Sequence, residues 1–526
     1  MAGTFDRRSF IKAVAGGAGV TALATVTQSR AASAAALGWD HSYDVVVVGY
    51  GGAGAAAAIT AHDAGARVLI IEKGPRGGGS TYYSGGYFVS PTDAEAAADY
   101  LMACSKAAEG QHFDVSRADF VAWAKEASGN AAWFRELGGD PIRMAHGWYS
   151  DAPGAESFAT FQPESAPHGV GIWKVLEAAV AARDIDILHE APGKELVTGP
   201  IADEGGAEGV AVVGIIAQTA QGPLRIEARK GVILTCGGFD YDETLKKSYL
   251  RVYPHYSVGH PGNTGDAIAL TAKVDAALWR LTATPANVCH KFPEVPVAYP
   301  SLIQIFPDTY SFVMVNAQGR RFVDETLNYD AVGKSMENYD PASRSFAGDG
   351  AWLIFDEKTR RQGPVSFPLP IGDPAYHWSE DNQTEIDKGW IIKADSIADL
   401  AGALGLDAAT LTATIDTYNS DCAAGRDSQY GRERGLIALD SGPYYGLRSY
   451  PGLWSTGGGP RIDRFARVID VSGNVVPRLY VAGAASPFSL AHLYPVSGTA
   501  IADCFAMGRI AARMASREVH VRPGVD

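Results

Sequence analysis

The apolar positions of this chain gather in short unbroken runs divided by glycine, and the first run sets the scheme. Val45-Val46-Val47-Val48 has no polar position between its valines. It predicts a strand buried on both faces, too short and too β-branched for a helix. Glycines follow at Gly49, Gly51 and Gly54, then Ala55-Ala56-Ala57-Ala58-Ile59-Thr60-Ala61, a run of strong helix propensity. Val68-Leu69-Ile70-Ile71 repeats the buried-strand pattern and ends in Glu72, and Val232-Ile233-Leu234 repeats it before the Gly237-Gly238 turn. Strands buried on both faces and joined through helices predict an α/β fold with a parallel sheet.

A G-x-G-x-x-G spacing is weak alone, but a strand before it and a helix after it give it physical meaning. Gly49 permits the tight turn, Gly51 with Gly52 and Ala53 lets a pyrophosphate approach the backbone, and Gly54 lets helix and strand pack closely. The helix N-terminus then offers free N–H groups and a partial positive charge to phosphates. Glu72, eighteen residues beyond Gly54, can accept hydrogen bonds from both ribose hydroxyls and would repel a 2′-phosphate. The pattern predicts a dinucleotide site.

At 526 residues, 46% hydrophobic and 20% charged, the chain can build a sizeable core, and two domains are expected. A formal charge of −14 argues against nucleic acid or an anionic membrane surface as partner. Cys104, Cys236, Cys289, Cys422 and Cys504 stand singly, without C-x-x-C or C-x-x-C-H. Neither a cysteine-rich metal or iron–sulfur site nor c-type haem has its usual signature, and no metal ligand set is assigned. No second G-x-G-x-x-G follows a strand; Gly457-Gly458-Gly459 has no helix-forming run behind it. A dedicated NAD(P)H domain is therefore not expected.

Residues 1–36 are set apart from the fold. Asp6-Arg7-Arg8-Ser9-Phe10-Ile11-Lys12, a mild apolar run from Ala13 to Val26 and the small-residue site Ala32-Ser33-Ala34 resemble a twin-arginine signal peptide. That route carries proteins already folded around a cofactor. The resemblance implies the twin-arginine export machinery as partner and a periplasmic or secreted location.

After Glu72-Lys73 comes Gly77-Gly78-Gly79-Ser80-Thr81-Tyr82-Tyr83-Ser84-Gly85-Gly86. Its small and hydroxylated residues allow a backbone to lie flush against a flat ring and a phosphate. This stretch resembles the flavin loop of the fumarate reductase flavoprotein superfamily, which includes the 3-ketosteroid dehydrogenases. No histidine occurs between His62 and His112, so the FAD is expected to be bound non-covalently. Further stretches follow the superfamily's order. Ile185-Asp186-Ile187-Leu188 is similar to a strand of the cofactor domain, and Glu208 to Ala217 to an adjoining β-meander arm. Lys230 to Phe239 and Gly262-Asn263-Thr264-Gly265-Asp266-Ala267 are similar to flavin-binding segments. Leu479-Tyr480-Val481-Ala482-Gly483 is similar to the last strand with its flavin-contacting glycine, and Gly498-Thr499-Ala500-Ile501 opens a helix whose N–H groups can meet the flavin. The resemblance implies cofactor contacts from Gly49, Gly51, Gly52, Ala53, Gly54, Glu72, Lys73, Gly79, Ser80, Thr81, Ser84, Gly85, Gly86, Gly237, Asp266, Gly483, Thr499, Ala500 and Ile501.

It also implies the architecture: a Rossmann-like FAD-binding domain (GR2-type flavoprotein) at 37–283 and 451–526, interrupted by an α+β capping, substrate-closing domain at 284–450. Within the cap, Val315-Asn316-Ala317-Gln318-Gly319-Arg320-Arg321-Phe322-Val323-Asp324-Glu325 matches the superfamily's “V-N-x-x-G-x-R-F-x-x-E”. A fumarate reductase clamps a dicarboxylate with arginines. Leu453 to Gly458 and Ala491 to Gly498, which match that subfamily's substrate stretches, hold no arginine. Glu325-Thr326-Leu327-Asn328-Tyr329 is instead similar to the “E-S-x-P-Y” of ketosteroid dehydrogenases, whose tyrosine is the base. Tyr494-Pro495-Val496-Ser497-Gly498 is similar to their “Y-P-G-x-G”, whose tyrosine and last glycine N–H hold the carbonyl oxygen. Tyr149 is matched to a third, assisting tyrosine. The expected reaction inserts or reduces a C–C bond beside the ketone of a small apolar substrate, with hydride transfer to flavin N5 and an external electron acceptor or donor (quinone, cytochrome or oxygen). The alternative is an ene-reductase of unsaturated acids fed by periplasmic electron carriers.

Overall fold

The computed structural model describes residues 38–105, 115–144, 148–166, 168–202, 208–371, 375–490 and 494–519. The twin-arginine stretch and its cleavage site lie outside them, as does His492, two residues before Tyr494.

The valine run forms the strand His41–Val48 at the centre of an eight-stranded sheet. Four strands flank it in parallel: Val68–Ile71 and then Asp186–Leu188 on one side, Gly222–Leu234 and then Val475–Val481 on the other. Val45 to Val47 are fully buried, as two-sided coverage requires. The Glu208 stretch does form an arm: Gly193–Ala202, Glu208–Thr219 and the first half of Gly222–Leu234 run antiparallel to one another.

Two helices cover the sheet beside the glycine turn. Gly52–Asp63 follows the first strand, and Thr499–Arg517 packs against it. Close packing needs glycine. A Cβ on Gly508 would stand 2.7 Å from the Ala53 carbonyl oxygen.

A second body of apolar side chains, from Val288 to Leu447, fills the interrupting segment. Its frame is an antiparallel sheet of Phe312–Val315, Trp352–Asp356, Tyr444–Arg448 and Ile391–Ala394, backed by the helices Ile397–Leu404 and Ala408–Ala424. The superfamily motif lies here. Arg321 donates to Glu325 at 2.8 and 2.7 Å and to Asp427 at 3.0 and 2.9 Å, and Arg432 donates to Glu325 at 3.3 Å, with all four side chains fully buried. Arg321 and Glu325 thus pin the segment that leads into Tyr329. No helix among the described residues is long and apolar enough to cross a membrane.

Candidate active site

The parallel strands end at a crevice, the place where this architecture binds ligands. Gly49, Gly51, Gly52, Ala53, Glu72 and Lys73 line it, together with Gly79, Ser80, Thr81, Gly237 and Asp266. Gly49 has φ +103°, and a Cβ there would stand 2.6 Å from the Thr235 carbonyl oxygen. At Gly51 a Cβ would meet nothing nearer than 3.7 Å, so the backbone lies open where a side chain would stand. The helix start carries no side-chain cap from Gly51, and the Gly52 N–H donates to Thr81 Oγ1 at 3.1 Å. Glu72 accepts from the Tyr50 and Gly74 N–H groups at 2.8 and 2.7 Å, and a carboxylate so held keeps lone pairs for ribose hydroxyls. Lys73 donates to Asp266 at 2.7 Å and Thr264 at 2.9 Å. Asn263 ties Ser80 (2.8 Å) to the buried Asp240 (2.7 Å), which fixes the loop through Thr81. This bare-backbone cradle, with a carboxylate at the second strand end, fits the adenosine and pyrophosphate of FAD.

Two expected contacts take other roles. Gly54 lines neither cavity; its missing Cβ would stand 2.0 Å from the Gly49 carbonyl oxygen. Thr499 also lines neither, and its hydroxyl donates to the Val496 carbonyl at 2.8 Å.

A larger cavity of about 1110 Å³ adjoins the cradle. Ser84, Gly85, Gly86, Gly483, Ala500 and Ile501 line it from the sheet domain, and Tyr329, Asn328 and Leu327 line it from the cap. Tyr494, Ser497 and Gly498 complete that wall. The Tyr329 and Tyr494 rings lie 6.5 Å apart. Trp148 stands edge-on to both, 4.6 Å from Tyr329 and 5.8 Å from Tyr494.

The two phenols differ in hydrogen bonding. Tyr494 Oη accepts the N–H of Gly498 at 3.1 Å and of Ala500 at 3.4 Å, at the start of the Thr499–Arg517 helix. Backbone N–H groups can only donate, so the Tyr494 O–H remains free to donate elsewhere. Burial pushes this phenol up and the two N–H groups hold it back, to about 12. Tyr329 Oη pairs with Ser497 Oγ at 3.1 Å, and burial pushes this phenol well above its ordinary value. The Gly498 N–H, expected to meet a carbonyl oxygen beside Tyr494, is thus turned onto Tyr494 itself.

Asp330, which the sequence reading missed, joins the pair. It follows Tyr329, accepts the Tyr494 N–H at 3.1 Å and the Ala286 N–H at 2.8 Å, and binds Lys334 at 2.6 Å. Asp503 accepts the N–H groups of Phe488 (3.2 Å) and Ser489 (2.9 Å), while buried Arg280 donates to the Phe488 carbonyl at 3.0 Å. These two side chains hold the backbone at Phe488 and Ser489.

Tyr149 does not line the cavity; Trp148 does. The Tyr149 phenol bonds Asn328, and burial pushes it up to about 12 despite that bond. His290 is buried at Arg448 O (2.9 Å), with its imidazole driven down to about 4 by burial, a structural position. Among the described lining residues the one arginine is Arg434, which donates to Asp308 at 2.8 Å and to the Thr326 carbonyl at 2.7 Å.

The FAD binding domain family matches residues 44–501. A 3-oxosteroid 1-dehydrogenase of Mycobacterium tuberculosis is 31% identical over 313 residues, 55% of this chain and 53% of that protein, so the match spans about half the relative's length. A fumarate reductase (cytochrome) of Shewanella frigidimarina is 28% identical over 473 residues, 88% of this chain and 74% of that protein. In fold, the chain is similar to a 3-ketosteroid Δ1-dehydrogenase from Sterolibacterium denitrificans, with TM-score 0.79 and 22% identity over 90% of this chain and 99% of that one.

Proposed function

Because this chain belongs to the FAD binding domain family, we propose that it is an FAD-dependent oxidoreductase that forms or reduces the C–C bond beside a ketone in an apolar ring substrate. Bound FAD supplies a two-electron hydride acceptor or donor. The chain's own residues supply the polar half of the chemistry. Tyr494 donates its O–H to the ketone oxygen, and the Gly498 and Ala500 N–H groups behind it stabilise the charge that passes back as the oxygen becomes enolate-like. Tyr329 serves the carbon beside the ketone as proton acceptor in dehydrogenation and as donor in reduction. Trp148 fixes both rings, and the apolar wall excludes water, which strengthens each hydrogen bond.

The observation that carries this reading is the direction of the bonds at Tyr494: two donors aim at its oxygen, so its proton is free for the substrate. The relatives named for 3-oxosteroid dehydrogenation support it. The fumarate reading has a longer relative, but the lining arginine Arg434 is held by Asp308 rather than free to clamp a dicarboxylate. The twin-arginine pattern at Arg7-Arg8 adds export to the proposal.

The test is anaerobic mixing of purified holoprotein with a panel of cyclic ketones and with succinate. Bleaching of the flavin by a ketone alone supports the reading; bleaching by succinate alone refutes it.

A further inference from the structure

Tyr329 can act as a proton acceptor only if its own hydroxyl proton has somewhere to go. Among the described groups around it, Trp148 and Trp454 are ring contacts at 4.6 and 5.8 Å. Tyr494, Asp330 and Tyr87 are the titratable groups that act on it electrostatically. Asp330 is held by the backbone of Ala286 and Tyr494 and by Lys334, and the Tyr494 oxygen by two backbone N–H groups. Ser497 is in direct hydrogen-bond contact with Tyr329: its hydroxyl lies 3.1 Å from Tyr329 Oη, is buried, and itself lines the cavity. Tyr149, the expected assistant, does not line the cavity.

We propose that Ser497 is the proton partner of Tyr329, the positioning residue that decides whether the Tyr329 oxygen meets the substrate as acceptor or as donor. A serine hydroxyl can accept or donate by rotation about one bond. When Ser497 accepts, the Tyr329 O–H turns away from the cavity and a lone pair faces the substrate carbon. The α C–H bond then breaks and its proton forms the O–H bond on Tyr329. The proton formerly on Tyr329 passes to Ser497, whose own proton is handed on to a water molecule that reaches its hydroxyl. The electron pair of the C–H bond stays with the substrate as the enolate held by Tyr494. When Ser497 donates, each proton moves the opposite way and Tyr329 delivers its proton to carbon. The Ser497–Gly498 pair thereby serves both tyrosines, its hydroxyl Tyr329 and its neighbouring N–H Tyr494.

The inference rests on the reading of Tyr329 given above, so the experiment separates the two. Ser497→Ala, Ser497→Thr and Tyr329→Phe holoproteins are compared for FAD content, thermal midpoint, kcat, KM and the pH dependence of kcat with a ketone that bleaches the parent. Ser497→Ala is expected to keep FAD, midpoint and KM while kcat falls on the order of 10²-fold. Once Tyr329 ionises, the Ser497 hydroxyl rotates to donate to the phenolate, so its loss moves the limb of the profile that rises with pH to higher pH. Ser497→Thr, which keeps the hydroxyl, recovers most of the rate and returns the limb. Parental kcat in Ser497→Ala overturns the inference, and so does an equal loss in Ala and Thr with an unmoved limb. Full turnover in Tyr329→Phe sinks the underlying reading instead.

Discussion

At Tyr494 the direction of a hydrogen bond decides what the side chain can do. Phe at this position removes the donor while keeping the ring against Trp148. We predict that Tyr494→Phe retains FAD and loses about 10²–10³-fold in kcat, the usual cost of one oxyanion donor, read from steady-state rates normalised to flavin absorbance. Tyr494 was legible in the sequence through its resemblance to a known motif, whereas the Gly498 N–H expected on the substrate oxygen is turned onto Tyr494 itself. Tyr149 was not legible. It has φ +48°, an uncommon backbone for a bulky residue that sequence does not announce, and Trp148 lines the cavity in its stead. Ser497 and Asp330 carried no signal, since a serine and an aspartate acquire their roles only when cap and sheet domain meet.

The elements were read best where burial is two-sided. Strand, glycine turn and helix at Val45 to Ala61 formed as the pattern predicts, because no other residue type satisfies those contacts. Gly49→Ala would place a methyl group 2.6 Å from the Thr235 carbonyl on a backbone at φ +103°. Loss of bound FAD is expected, measured as flavin stoichiometry after gel filtration. The cap motif was legible as a motif but not as a structure. Its Arg321, Glu325, Asp427 and Arg432 form a buried charge cluster whose members lie up to 111 positions apart in sequence. Arg321→Leu takes the ion-pair partner from Asp427 and leaves Glu325 with Arg432 alone, and is predicted to destabilise the protein by about 3–5 kcal/mol, measured by denaturant unfolding. Burial alone pushes the Asp427 carboxyl up, but its bonds to Arg321 outweigh that and bring it to about 2. A depressed carboxylate stabilises the fold fully above its unfolded value of about 3.9 and loses that contribution as pH falls toward the folded one. The thermal midpoint is therefore predicted to drop between about pH 4 and 2, and less steeply in Asp427→Asn.

For the whole molecule, the larger cavity is lined from both hydrophobic bodies, and occupancy of the cradle by FAD should stabilise the sheet domain by mass action. At FAD concentrations of about 100 to 1,000 times Kd the gain is about 3–4 kcal/mol, so stripped protein is predicted to melt lower and to recover on adding FAD. Acid precipitation should leave the yellow colour in the supernatant, because no histidine stands between His62 and His112 to bond the ring. The Arg7-Arg8 pair predicts that an R7K/R8K variant stays in the cytoplasm in a fractionation assay. The central claim, that phenol groups and not guanidinium groups face the reacting carbons, is tested most directly by anaerobic stopped-flow mixing of the oxidised holoprotein with a cyclic ketone. The parent should bleach and Tyr494→Phe should bleach far more slowly at equal FAD content; equal rates in the two, or bleaching by succinate with none by any ketone, would contradict it.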